Sequence, residues 1–239
     1  MRTTMTALDA PLDGEAHLLK ETLSASLTVR AAAVDVFAVL ANPANHAAID
    51  RTGWVRASLD ERLLTEAGQV FRIAMYHDNH PDGHYEMANK VRVFDPPRTI
   101  SWEPGQDLRG DGKLQFGGWI WRYDLSATSG SETAVTLSYD WSAVPPALRE
   151  HISFPPFSPE HLNNSLDHLA DIVAARTASL NSLPEIGAPA TRALANAGYT
   201  TLRQLANLQR SDLARLHGMG PRAMHVIARE LAQHGLQLQ

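Results

Sequence analysis

The spacing of apolar residues divides this chain into a long stretch dominated by strands and a shorter stretch of helices. Residues 23–29 read as a strand, and residues 33–48 are helical in composition. Asn42-Pro43 splits the latter into two short helices, because proline lacks an amide donor and disfavours helical geometry in the residue before it. At residues 69–78 the period becomes two: Phe71, Ile73, Met75 and His77 fall on one face, with Arg72 and Asp78 on the other. The segment from Asp78 to Gly83 is dense in turn formers and predicts a hairpin loop into a second strand over 85–94. On that strand Tyr85, Met87, Asn89, Val91 and Val93 share a face, while Glu86, Lys90 and Arg92 point to water. Asp95-Pro96-Pro97 ends it, residues 98–103 restart a strand carrying Trp102, and residues 104–112 form an open loop.

Two long strands follow, over 116–128 and 132–143, joined by Ser129-Gly130-Ser131; connections this short imply antiparallel order. Trp119, Trp121, Tyr123 and Leu125 share one face of the first, and Val135, Leu137, Tyr139 and Trp141 one face of the second. Such a sheet carries aromatic rings on its concave side and charges on its convex side. Residues 159–179 form a helix with Leu162, Leu166, Leu169 and Val173 along one stripe, which would lie across the aromatic face.

A length of 239 residues suits two modules. Hydrophobic and aromatic fractions of 44% and 7% are those of an ordinary globular chain and exclude a disordered or membrane-embedded one. The best apolar stretch, residues 31–41, is short and contains Asp35, so no membrane insertion is expected. Asp9, Asp13 and Glu15 occupy the region where a secretory signal needs an apolar run; residues 1–20 read as a flexible tail and the protein as cytoplasmic. With no cysteine, disulfides, thiolate metal sites and a cysteine nucleophile are excluded. The net charge of -5 is unevenly divided. From Ser179 onward six arginines face three acids, a balance of +3, which leaves -8 before that point. A basic small module on an acidic larger one suits an anionic partner for the small one.

The element order, together with Val36-Phe37-Ala38-Val39-Leu40-Ala41-Asn42-Pro43, the turn Asp95-Pro96-Pro97-Arg98 and Trp121-Arg122-Tyr123-Asp124-Leu125, resembles the SRPBCC/START-like helix-grip superfamily in its polyketide cyclase/dehydrase-like branch. The resemblance covers residues 21–178 and implies an α+β fold, an antiparallel sheet wrapped on a long helix. It also implies an internal cavity that takes an apolar small molecule, lipid- or polyketide-like. The wall would come from Phe71, Ile73, Met75 and His77, from Tyr85, Met87 and Asn89, and from Trp102. Trp119, Trp121 and Tyr123, Tyr139 and Trp141, and Leu162 and Leu166 of the helix would complete it. This superfamily uses one pocket for lipid carriage, hormone sensing and ring-closing chemistry, so the leading expectation is binding and the alternative a cyclase/dehydratase-type enzyme.

An enzyme would need an acid or base positioned in the cavity, and His77 is the best placed because strand alternation puts it beside Phe71, Ile73 and Met75. His77, His80 and His84 surround a turn as three zinc ligands could. Proline and glycine account for that turn by themselves and no fourth ligand is fixed, so no metal is expected. Residues 21–178 contain no phosphate loop, serine elbow or nucleotide fingerprint, and no cofactor is expected.

Residues 179–239 repeat one design: the runs from Leu183 to Leu194 and from Leu213 to Met224 each pass from apolar residues through a short glycine hairpin into a helix start. In the second run Leu213 and Leu216 precede Gly218, Met219 and Gly220, Pro221 opens the next helix, and Ala223, Val226 and Ile227 form its packing face. Glycines suit such a hairpin because it needs positive φ and close backbone approach. Thr200-Thr201 caps a linking helix, and Gly198 closes the one before. The segment resembles tandem helix-hairpin-helix units such as the C-terminal domain of the bacterial RNA polymerase alpha subunit. That resemblance implies hairpin amides gripping a DNA phosphate beside a basic side chain, with Gly218, Met219, Gly220 and Arg222 matching in the second copy and Arg192 in the first. Ala188-Pro189 stands where the first copy would have its second glycine, so that copy reads as scaffold. Such units also dock proteins, and both kinds of partner stay open.

Overall fold

Hydroxylated residues alternate with Leu23, Ala25, Leu27 and Val29, and this segment forms β1 (Thr22–Val29), whose apolar side faces the core. The computed structural model describes residues 21–78, 80 and 82–239; the tail expected over residues 1–20 lies outside them. Two helices follow, α1 (Ala33–Leu40) and α2 (His46–Asp50), separated by the 3-10 turn Pro43–Asn45. The Asn42 side chain accepts from the Ala44 N–H at 3.1 Å, so the break at Pro43 is capped.

The remaining strands are β2 (Val55–Ser58), β3 (Val70–Tyr76), β4 (His84–Asp95), β5 (Thr99–Gln106), β6 (Gln115–Phe116), β7 (Ile120–Ser129) and β8 (Glu132–Asp140). They form one antiparallel sheet in the order β1-β8-β7-β5-β4-β3-β2, with β6 beside β5. The first strand pairs with the last, so α1 and α2 carry the chain from one edge of the sheet to the other. After the four-residue helix α3 (Pro146–Arg149) comes α4 (Glu160–Leu180). Its stripe of Leu162, Leu166, Leu169 and Val173 is buried in one core with Ile100, Val135 and Leu137 of the sheet. A curled antiparallel sheet closed over one long helix is the helix-grip arrangement of an α+β fold. On the outer face Arg92 pairs with Glu103, and Arg122 grips both oxygens of Asp124 at 2.6 and 2.7 Å.

Four details depart from the sequence reading. β2 is a strand the periodicity does not announce, because two of its four residues are exposed. β5 extends to Gln106, shortening the expected loop over 104–112. The strand expected over 116–128 divides into β6 and β7 at Gly117-Gly118; Gly118 has φ +85 and a Cβ there would meet the Ala143 carbonyl oxygen at 2.3 Å. A bulge between Val91 and Val93 turns Val93 off the inward face and brings Phe94 in, where its ring meets Phe37 edge-on at 5.3 Å.

The C-terminal helices are α5 (Ala188–Asn196), α6 (Leu202–Leu205), α7 (Arg210–Ala214) and α8 (Pro221–Gln233). They surround a second apolar cluster of Leu194, Leu202, Leu205, Leu213, Ile227 and Leu231, into which α4 inserts Leu180. Thr201 caps α6 with a reciprocal bond to Gln204. Gly218 has φ +99, and a Cβ there would lie 2.8 Å from the Pro189 carbonyl oxygen, so the turn before α8 packs against the start of α5. Two expectations are corrected here. Gly220 has φ -90 and needs no special freedom, and Met224 rather than Val226 joins Ala223 and Ile227 in the cluster. Arg203 reaches across to Asp35 of α1 with two bonds of 3.0 Å, and Arg176 of α4 donates to the His234 carbonyl at 2.8 Å. No helix among the described residues is long and apolar enough to cross a membrane.

Candidate ligand cavity

Between the concave face of the sheet and α4 lies a cavity of about 740 Å3. Strand alternation aims Phe71, Ile73 and Met75 of β3 into it, with His77 just past the strand end. Tyr85, Met87 and Asn89 of β4, Trp102 of β5, Trp121 and Tyr123 of β7, the preceding Trp119 and Tyr139 of β8 complete the sheet side.

Trp141, Leu162 and Leu166 are not in the wall. Trp141 lies beyond the end of β8 with its ring 5.6 Å from that of Tyr139. Leu162 and Leu166 are 0% and 1% exposed and fill the core, so α4 presents the residues beside them, His161 and Ser165. The sequence carried that signal: His161, Ser165 and His168 stand at i, i+4 and i+7, a polar line bordering the leucine stripe. His46, Ile49 and Asp50 of α2 and Trp54 and Val55 near β2 also line the space, and only the packing of α2 against the sheet and α4 puts them there. The segment 151–157 closes one side; His151, Ile152 and Ser153 line the cavity yet are exposed, which marks its mouth.

The ionisable groups of the wall hold distinct states. His46 is stacked on Trp102 at 4.9 Å, meets Phe71 edge-on at 5.4 Å and places Nε2 2.9 Å from the Leu40 carbonyl oxygen, to which it donates. Burial lowers its pKa to about 4, against the partial opposition of that hydrogen bond, so the ring is neutral near pH 7. Burial raises the phenols of Tyr123 and Tyr139, the first further by the Asp50 carboxylate nearby. Asp50 accepts from the Thr52 N–H at 3.0 Å and from the Thr52 hydroxyl, and its other oxygen lies 3.5 Å from His161 Nε2. Burial lowers the pKa of His161, with Asp50 opposing and His168 adding to the shift. His168 in turn bonds the Ile49 carbonyl at 3.0 Å, tying α4 to α2 beside Asp50.

The three histidines around the β3–β4 turn are each engaged by a different ring. His77 sits edge-on to Trp54 at 4.7 Å, His80 stacks on Tyr85 at 4.7 Å, and His84 meets Tyr76 at 5.0 Å on the other face of the sheet. Among the described residues no three histidine, aspartate or glutamate side chains converge as metal ligands.

Sheet order, gripping helix and enclosed cavity together give the chain a helix-grip fold with a ligand-sized interior. No family model matches the chain. Over 121 residues it is 26% identical to the "Uncharacterized protein Rv0088" of Mycobacterium tuberculosis, covering 51% of this chain and 48% of that one; the match thus spans about half of that relative. Protein Ms6760 from Mycobacterium smegmatis shares 17% identity at a TM-score of 0.48, covering 69% of this chain and 98% of that one. Norcoclaurine synthase from Thalictrum flavum, solved with dopamine and hydroxybenzaldehyde, shares 14% identity at a TM-score of 0.45, covering 71% and 98%. Ginseng major latex-like protein 151 from Panax ginseng shares 15% identity at a TM-score of 0.42, covering 64% and 95%. The fold assignment rests on the strand order and the seating of α4.

Proposed function

We propose that the cavity binds an apolar small molecule of lipid or polyketide character, and that residues 179–239 are a tandem helix-hairpin-helix unit that couples this pocket to DNA or a partner protein. The cavity carries the reading: about 740 Å3 falls within the roughly 300–1,000 Å3 of sites that enclose small ligands. Its wall is mainly aromatic rings, aliphatic chains and two thioethers, with five imidazoles, Asp50, Asn89, Gln106 and two serine hydroxyls to orient a bound molecule. Extraction and mass spectrometry of material copurifying with the protein, together with 8-anilinonaphthalene-1-sulfonate fluorescence, tests it. Absence of both a bound molecule and a fluorescence rise would defeat the reading.

Coupling is supported by α4, whose stripe packs in the first core while Leu180 packs in the second. For the C-terminal unit the packing of the turn before α8 against the start of α5 supports the tandem arrangement. Of its arginines, Arg203, Arg215 and Arg229 are held by Asp35, Asp212 and Glu230. Arg192, Arg210 and Arg222 make no ion pair among the described residues, and Arg192 and Arg222 are exposed, whereas Met219 is buried in the apolar cluster and offers its side chain to no partner. On the DNA side of the proposal the expected outcome is that the protein retards duplex DNA at low salt and that Arg222→Glu abolishes this. No retardation at low salt leaves a protein partner as the occupant.

A second reading, a cyclase/dehydratase-type enzyme, is favoured by the imidazoles in the wall, His77 among them. Turnover of a polyketide-like compound that is lost in His77→Ala while affinity is kept would establish it.

A further inference from the structure

Resting on that binding reading, we propose that Asp50 and His161 form an acid–base dyad, which moves a proton on an apolar aromatic ligand held in the cavity. The two side chains come from different elements, the end of α2 and the first turn of α4, and meet in the cavity wall with Oδ1 and Nε2 3.5 Å apart. Both are largely withdrawn from solvent, with 12% and 10% of their side-chain surfaces exposed.

The Asp50 carboxylate is pre-positioned. Its Oδ2 accepts from the Thr52 N–H and hydroxyl, and the residue between them, Arg51, takes the left-handed conformation at φ 52 that closes this turn. The remaining oxygen faces His161. With Nε2–H turned to that oxygen, the imidazole carries its lone pair on Nδ1, the tautomer a neighbouring carboxylate selects in nucleophile-activating triads. Edge-on and tilted contacts with Trp121 at 5.9 Å and Phe157 at 4.7 Å hold the ring beside the aromatic part of the wall, where a flat ligand would stack. Of the other imidazoles in the wall, His46 donates to the Leu40 carbonyl and stacks on Trp102, and His80 stacks on Tyr85.

The step balances within ligand and dyad. Nδ1 takes a proton from a carbon acid, the C–H pair moves into the adjoining carbonyl or ring, and the imidazolium is stabilised through Nε2–H by Asp50. Return of that proton to another atom of the ligand completes an isomerisation or enolisation without an external co-reactant.

The probe is 5-nitrobenzisoxazole, a small aromatic carbon acid. Loss of its C–H proton breaks the N–O bond and releases a coloured cyanophenolate. The full chain is compared with His161→Gln, Asp50→Asn and, as a control on the exposed face of α8, His225→Gln, each checked by 8-anilinonaphthalene-1-sulfonate binding. Expected are a loss of about 100-fold for His161→Gln, near the low end of what a positioned base contributes, and about tenfold for Asp50→Asn. Dye affinity stays within about twofold in both, a change of about 0.4 kcal/mol, and the control matches the wild type. Dye binding with turnover no faster than His161→Gln overturns the dyad and leaves the binding reading standing. Failure to bind the dye at all overturns the binding reading, and the dyad with it.

Discussion

Acidification should destabilise the first core through one side chain, His46. In the folded state its ring is neutral, sandwiched by Trp102 and Phe71, with a pKa of about 4 against 6.5 for a solvated imidazole. Between those values the unfolded chain binds a proton that the folded chain refuses, so stability falls as the pH drops from 6.5 towards 4. Above 6.5 both states are neutral and below about 4 both are protonated, so the group contributes no slope outside that window. The gap of 2.5 units, at about 1.4 kcal/mol each, amounts to about 3 kcal/mol. That is a large part of the roughly 5–15 kcal/mol that holds an ordinary domain folded. Burial also lowers His161 and His234, so the wild-type loss alone does not isolate His46. His46→Phe does: the ring is kept between Trp102 and Phe71 and the titration is removed. Guanidinium unfolding at several pH values, followed by tryptophan fluorescence, reports this core because all five tryptophans lie between residues 54 and 141. Wild type should lose about 3 kcal/mol more than His46→Phe across the window. A stability difference between the two that stays constant with pH would refute the reasoning.

Arg203→Ala leaves the Asp35 carboxylate, only 10% exposed, without its bidentate partner. Denaturant unfolding should show a loss of about 1–3 kcal/mol that Asp35→Asn largely restores in the double variant. Gly218→Ala places a Cβ 2.8 Å from the Pro189 oxygen at φ +99 and should cost about 1–3 kcal/mol. Hydrogen exchange in α5 and α8 would report it, whereas Gly130→Ala, with open space around it, should be neutral. Leu166→Ala removes fully buried core and should cost about 2–5 kcal/mol while leaving dye affinity nearly unchanged. Met75→Trp does the reverse: it fills the cavity and weakens dye binding about tenfold or more, equivalent to about 1.4 kcal/mol, with little change in melting temperature.

Much of the fold can be read from local pattern, for reasons visible in particular elements. Phe71, Ile73 and Met75 could serve no other face of a strand, and the stripe of Leu162, Leu166, Leu169 and Val173 could serve no other side of a helix, because side-chain direction follows directly from the two backbone periods. The break at Asn42-Pro43 and the Thr201 cap are equally local, and both stand where the residues placed them. The bulge at Val91–Val93 is different: it exchanges Val93 for Phe94 on the strength of pairing with β5, which no window of β4 contains.

The same division runs through the candidate site. The amino-acid sequence by itself determined which residues of β3, β4, β5, β7 and β8 share a face, since alternation along each strand is a property of that strand alone, but not where that face ends as wall, as Trp141 shows. Only the tertiary structure decided which side of α4 meets empty space and which meets core, bringing in His161 and Ser165 and withdrawing Leu162 and Leu166. It also brought Asp50 within 3.5 Å of His161, two residues 111 positions apart whose meeting depends on how α2 and α4 pack. Period and turn chemistry act over a few residues, whereas a cavity is the space left between elements, and its shape exists only once they are assembled.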